Sequence, residues 1–148
     1  MRQAGLCALV AALALAIAGC GGGGEKKGES EPSGEQAKAA CTGEALAATE
    51  QLKLPPSFPQ IENVTYTRQE TEGPTDVVEG YFMGSVKDAH DEYKKELEGA
   101  GYTILFDELE EHDSEVSWKG EGRTGQVALR EECGEGDKIY IHITNRPA

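Results

Sequence analysis

Basic residues are scarce in this sequence. Its 148 residues include 14 Lys and Arg against 27 Asp and Glu, and the formal net charge is −13. Nucleic acids are bound by clustered Lys and Arg, and polybasic segments attach folded domains to anionic lipid. The composition argues against both kinds of partner and is typical of a soluble domain with a solvated surface. A cationic partner or weakly held divalent cations are the alternatives.

Several enzyme motifs are also missing. There is no Gly-x-Ser-x-Gly and no Ser-x-x-Lys, which mark two classes of serine nucleophile. No pair among His90, His112 and His142 has the spacing of metal ligands. The acidic run at 107–115 lacks the ligand order of a calcium loop. We therefore predict no metal, no cofactor and no enzymatic activity, with a hydrolase that uses scattered carboxylates as the alternative.

Long apolar runs are absent as well. A transmembrane helix needs roughly 20 apolar residues, whereas the apolar run at 6–17 is shorter and ends in Gly19 and Cys20. A charged start, an apolar middle and small residues before a cleavage site form the layout of a secretory signal. A buried N-terminal helix fits less well, because the glycines at 21–24 continue no apolar face. We predict a signal peptide at 1–19.

The end of this run carries a resemblance to a known family. Ile17-Ala18-Gly19-Cys20 resembles a bacterial lipobox, although Ile stands where Leu is most usual. The resemblance implies cleavage before Cys20 and a diacylglycerol group on its thiol. Each buried acyl CH₂ contributes about 0.8 kcal/mol, so two chains hold a protein stably without a transmembrane helix. The expected location is the cell membrane, lipid-anchored and facing the extracytoplasmic side.

Composition divides the rest of the chain into a tether and a domain. Residues 21–40 contain no aromatic or β-branched residue, and such a segment cannot bury enough apolar surface to fold. A Gly-rich coil of this length spans about 25 Å. We predict a lipidated Cys and disordered tether at 20–40 and a single domain at 41–148.

The cysteines indicate one disulfide. Cys7 lies inside the leader and Cys20 at its end, which leaves Cys41 and Cys133 for the exported part. Because two cysteines remain and the expected compartment is oxidising, we predict a disulfide bridge between them.

The domain is predicted to be α+β. Alternating strands are expected near 64–68, 77–83, 102–106, 116–118, 127–129 and 139–143. Ser85 is a good N-cap for a helix that ends at Gly101. The result is an antiparallel sheet of five to six strands in β-β-α-β-β-β-β order, packed on one long helix. A short N-terminal helix over 44–52 is a further option.

The end of the long helix carries a second resemblance. Tyr93, Leu97, Gly101 and Tyr102 form a pattern similar to small domains of secreted actinobacterial lipoproteins. The similarity covers about one third of the chain. It implies an α+β domain and brings no catalytic residue with it.

A binding surface is expected on the sheet face away from the helix. Tyr81, Arg130, Tyr140 and His142 project there, and these residue types are common at interfaces, although they are also ordinary exposed strand residues. We predict a monomeric, lipid-anchored envelope protein whose domain binds a protein, peptide or small ligand. A carboxylate hydrolase and a passive structural or stress-related surface lipoprotein are the alternatives.

The lipid anchor can be tested by one substitution. Cys20→Ser removes the thiol that would receive the lipid, so the variant should lose lipid labelling and be left unprocessed or released. Metabolic labelling with a radioactive fatty acid and membrane fractionation measure both outcomes. Unchanged membrane retention would contradict the assignment.

Overall fold

The computed structural model describes residues 34–134 and 137–148. The predicted signal peptide, Cys20 and the tether up to residue 33 lie outside the described residues. Within them, neither helix is long and apolar enough to cross a membrane. The helices and strands are, in chain order, α1 (Gly34–Thr42), β1 (Val64–Glu72), β2 (Thr75–Met83), α2 (Val86–Gly99), β3 (Thr103–Leu109), β4 (Asp113–Gly120), β5 (Arg123–Arg130) and β6 (Lys138–Pro147).

The strands form one antiparallel sheet of six, so the predicted α+β class is confirmed. Its spatial order is β1-β2-β6-β5-β4-β3. The last strand of the chain therefore lies between β2 and β5, and both of its neighbours are antiparallel to it. The prediction of a single long helix is wrong, because α1 precedes the first strand.

Helix α2 begins and ends as the sequence predicts. The Ser85 Oγ accepts a hydrogen bond from the Asp88 N–H at 3.1 Å, which satisfies one of the free amides of the first turn. After the helix, Gly101 adopts φ 88°, a conformation that favours glycine. The buried residues of the helix are Val86, Ala89, His90, Tyr93 and Leu97. This stripe packs against β3, β4 and β5.

The inner face, the sheet face that carries Val127, Leu129 and Ile141, holds the main core. Trp118 lies within it, with its ring 5.5 Å from Phe58 in an edge-on arrangement. Gly125 on β5 pairs with Trp118 on β4. A Cβ at Gly125 would lie 1.9 Å from the Thr144 carbonyl oxygen and 2.6 Å from the indole. Glycine is therefore required where the indole crosses β5.

Helix α1 lies on the opposite side, here called the outer face, which carries Tyr140. Ala37, Ala40 and Cys41 are buried against Tyr140. The predicted disulfide is seen between Cys41 and Cys133, with Cα atoms 5.4 Å apart. The tether prediction is therefore wrong for residues 34–40. Alanines suffice on the buried side of this helix because the bridge holds it against the sheet.

The segment between α1 and β1, residues 43–63, is irregular, so the helix predicted over 44–52 is wrong. The Leu46 N–H donates to the Tyr66 carbonyl at 2.9 Å, so the backbone there pairs with β1 rather than with itself. Tertiary hydrogen bonding overrides a weak local helix preference.

The inward alternation of Tyr102, Ile104 and Phe106 is also broken. A bulge lies between Ile104 and Phe106. One extra residue reverses the face to which the following side chains point. Phe106 consequently pairs with Ser117 on the outer face and is exposed.

Loss of the disulfide should destabilise the domain. The bridge joins residues 92 apart, and removing a native bridge of this kind costs about 2–5 kcal/mol. We expect a Cys41→Ala, Cys133→Ala variant to lose free energy of unfolding in that range, measured by urea denaturation. Reductant should lower the wild type to the level of the variant and leave the variant unchanged. Equal stability of the two oxidised proteins would contradict this role.

Candidate functional site

The four residues predicted to form a binding face do lie together on the outer face. Tyr140 on β6 is directly opposite Tyr81 on β2 and Arg130 on β5. His142 follows two residues along β6 and shares the same face. The structure therefore groups these side chains on adjacent strands.

Tyr140, however, is fully buried, because α1 covers it. Its hydroxyl donates to Glu79 Oε1 at 2.5 Å. Lys138 Nζ lies 4.2 Å from the centre of the Tyr81 ring, on the same face. Beneath α1, Tyr140 cannot contact a ligand, and the sequence did not indicate this because α1 was assigned to the tether. Binding at the other three residues, Tyr81, Arg130 and His142, stays a prediction.

Glu79 is the buried charge at the centre of this group, with 1% of its surface exposed. Arg68 Nη1 lies 3.3 Å from its Oε2, and His142 Nδ1 lies 3.5 Å from its Oε1. Burial favours the protonated acid, but hydrogen bonds from His142 and Tyr140 and the charge of Arg68 outweigh it, so the pKa of Glu79 is lowered. Burial and the nearby carboxylate raise the pKa of Tyr140. The group therefore holds an ionised carboxylate and a neutral phenol beneath α1.

A Ser–His–Asp arrangement occurs between α2 and the sheet. His90 Nδ1 lies 2.6 Å from Ser114 Oγ, and His90 Nε2 lies 3.6 Å from Asp107 Oδ2. Ser114 is 2% exposed and His90 is 5% exposed, so a substrate cannot reach the hydroxyl. The contacts tie α2 to β3 and β4. The sequence did not indicate them because each residue comes from a different element.

The strongest candidate for binding is a groove of about 620 Å³ between the irregular segment 43–63 and β1. Most of the residues that line it have apolar side chains, but the surface that it exposes is at least as polar as it is apolar. The lining residues, which define the groove, are Ala45, Leu46, Ala47, Ala48, Glu50, Gln51, Leu52, Leu54, Pro55, Pro56, Phe58, Gln60, Val64, Thr65 and Tyr66. Pockets of this size and composition accommodate small ligands.

Hydrogen bonds hold the outer wall of the groove in place. Leu46 is bonded to Tyr66 through the backbone. The Gln69 side chain accepts from the Lys53 N–H at 2.9 Å and donates to Glu50 Oε1 at 2.7 Å. The groove is thus preformed, and a ligand does not have to order the wall when it binds.

The phenol at the inner side of the groove is uncharged. Tyr66 and Tyr93 place their hydroxyl oxygens 3.2 Å apart. Burial raises the pKa of Tyr66 to about 12, although the hydrogen bond to Tyr93 opposes this effect. At neutral pH the Tyr66 phenol is therefore uncharged, and its hydroxyl is bonded to the buried Tyr93. Such a lining can bind apolar or uncharged groups and supplies no proton acceptor of its own from Tyr66.

Across residues 34–134 and 137–148, no three His, Cys, Asp or Glu side chains are grouped closely enough to hold an ion. Comparison with protein-family models, curated proteins and solved structures finds no match to this chain.

The groove was not predicted from the sequence, because its outer wall was assigned to a helix. One signal for it was present. Pro55 and Pro56 exclude a continuing helix, and Leu46, Leu52 and Leu54 lack helical spacing. Apolar residues in an irregular segment must pack on another element, and here they pack beside β1.

The hydrogen bond from Tyr140 can be tested by Tyr140→Phe. Removing one donor from a buried carboxylate should lower the free energy of unfolding by about 1.5–3 kcal/mol near neutral pH. The lowered pKa of Glu79 means that its stabilisation is present above the ordinary glutamate value and is lost as pH falls through the folded value. The difference between variant and wild type should therefore shrink in acid, as measured by urea denaturation across pH.

Tyr81→Phe is the matched control. Tyr81 lies directly opposite Tyr140 and is half-buried, and in the described residues its hydroxyl makes no hydrogen bond to Glu79. Tyr81→Phe should change the free energy of unfolding by less than about 0.5 kcal/mol. Equal losses in the two variants would contradict the role given to the Tyr140–Glu79 bond.

Proposed function

We propose that this chain is an exported, lipid-anchored envelope protein whose domain binds a small apolar or uncharged ligand, or the apolar side chains of a peptide, in the groove. The observation that carries the binding role is the preformed groove beside β1, most of whose lining residues have apolar side chains. Its walls expose carbon surface to water in the free protein, and covering such surface contributes about 25 cal/mol per Å².

Export and anchoring rest on two independent features. The residues Ile17 to Cys20 have the order of a lipobox, which supports lipid attachment at Cys20. The bridge between Cys41 and Cys133 is consistent with an oxidising compartment. A domain tethered in this way would carry the groove away from the membrane surface.

The charges of the groove and of the whole chain favour some classes of ligand over others. Glu50 lies at the rim of the groove, and its carboxylate is engaged by the Gln69 amide. The whole chain carries a net charge of −13, which disfavours anions. Uncharged or weakly cationic ligands with an apolar body therefore suit the groove best.

The groove can be tested with the neutral dye Nile red and a chain that begins at Gly21, so that no lipid competes for the dye. The wild type should bind the dye saturably, seen as a rise in fluorescence. Ala48→Trp places an indole in the groove from an exposed position on its wall and should weaken binding about tenfold or more.

Ala39→Trp supplies the control, because Ala39 is an exposed alanine on α1 that does not line the groove. It should leave dye binding unchanged, and both variants should keep the unfolding midpoint of the wild type. Equal weakening by both substitutions would contradict binding in the groove. Absence of saturable binding would favour the passive surface protein instead.

A further inference from the structure

Strand β3 is the last strand on one side of the sheet, and it is the most exposed. Among the described residues, four large apolar side chains are exposed, and three of them belong to β3. Leu105 is 57% exposed, Phe106 is 50% exposed and Leu109 is 41% exposed. Isolated apolar side chains are common on protein surfaces, but a group on an open edge strand marks a site for association.

The backbone of this strand is available for pairing beyond the bulge. The Glu110 N–H donates to the Asp113 carbonyl at 2.9 Å, which closes the hairpin to β4. Ladder groups alternate in direction along an antiparallel strand. Asp107 and Leu109 therefore point their N–H and C=O groups away from β4, toward the open side. These groups form a short template for an added strand.

On the outer face beyond the bulge the charges beside this edge are acidic, whereas on the inner face Lys94 of α2 pairs with Asp107. On the outer face, Glu108 lies directly opposite Glu115 on β4, and like charges at such positions are destabilising. Gln126 Nε2 donates to Glu115 Oε2 at 2.7 Å. In the ranges that the structure describes, no ion pair joins Glu108 to a Lys, Arg or His. A cation placed between the two carboxylates, beside Phe106, would relieve their repulsion and contact the ring.

The same charges argue against a second copy of this chain as the occupant. Pairing β3 with β3 would bring two sets of acidic residues together, in a chain whose net charge is −13. Acidic residues and a bulge are common means of preventing self-association at a sheet edge. They leave the edge open to a partner of opposite charge.

We propose that β3 binds an extended segment of a partner protein that alternates apolar residues with Lys or Arg. The segment adds to the sheet as a seventh strand, with its backbone bonded to Asp107 and Leu109. An alternating strand has its two kinds of side chain on opposite faces. Its cations therefore lie on the outer face beside Phe106, Glu108 and Glu115, and its apolar side chains lie on the inner face beside Leu109. This surface is separate from the groove, which lies beside β1 at the other edge of the sheet.

The test uses the full chain in neutral detergent, passed over an immobilised decapeptide that alternates Lys and Val. Saturable binding is expected, falling with salt. A peptide N-methylated along one backbone edge should bind at least about tenfold more weakly if the segment pairs as a strand. Equal binding of the methylated peptide, or no binding of either, would overturn the proposal.

Variants of β3 locate the surface. Leu105→Ser with Phe106→Ser, and separately Glu108→Lys, should each weaken binding about tenfold or more. Glu108→Lys should also bind a Glu and Val decapeptide better than the wild type does. The matched control is Glu98→Lys, which changes the net charge equally at an exposed position of α2 and should leave both affinities unchanged.

Two further results would overturn the proposal. An equal effect of Glu98→Lys would show that only net charge attracts the peptide. In analytical ultracentrifugation, a dimer of the wild type that Leu105→Ser with Phe106→Ser abolishes would identify a second copy as the occupant. The unfolding midpoints of the serine variant and of Glu98→Lys should match the wild type, since the altered side chains are exposed, and that of Glu108→Lys should be no lower because the Glu108–Glu115 repulsion is removed.

Discussion

The bridge between Cys41 and Cys133 is the constraint on which the outer half of the domain depends. Helix α1 has nine residues and buries only Ala37, Ala40 and Cys41, and a helix so short is marginal by itself in water. Two further contacts assist the bridge: Thr67 Oγ1 donates to the Ala40 carbonyl at 2.8 Å, and Lys138 Nζ donates to the Cys41 carbonyl at 3.2 Å. Because α1 is held there, Tyr140 and Glu79 are removed from water.

The two edge strands of the sheet, β1 and β3, have different surroundings. At the β1 edge, the irregular segment 43–63 pairs in part with the strand and leaves a groove lined mostly by residues with apolar side chains. At the β3 edge, no described strand pairs with the open side of β3, and the outer face beyond the bulge is acidic. An apolar groove suits uncharged groups, whereas an acidic strand edge suits a cationic extended chain. One small domain thus offers two surfaces with different chemical preferences.

Much of the fold could be predicted where the signal was local. Ser85 and Gly101 mark the ends of α2 because capping involves only neighbouring residues. The alternation of Ile139, Ile141 and Ile143 indicates a strand with one buried face, and all three are in the core. The disulfide followed from counting the cysteines left after the leader. The candidate site was less predictable: its four residues do share a face, but the covering of Tyr140 by α1 could not be inferred from a segment composed mostly of small and polar residues.

What the sequence determined by itself was therefore the class of fold, the limits of α2, the strand periodicity and the cysteine pair. The tertiary structure decided that β6 lies between β2 and β5, that a bulge turns Phe106 outward, and that residues 45–60 form the wall of a groove. Local periodicity specifies which side of an element is buried, and it contains no information on the element that buries it. Contacts such as those of Leu46 with Tyr66 and of His90 with Ser114 join distant segments, so only the folded chain shows them.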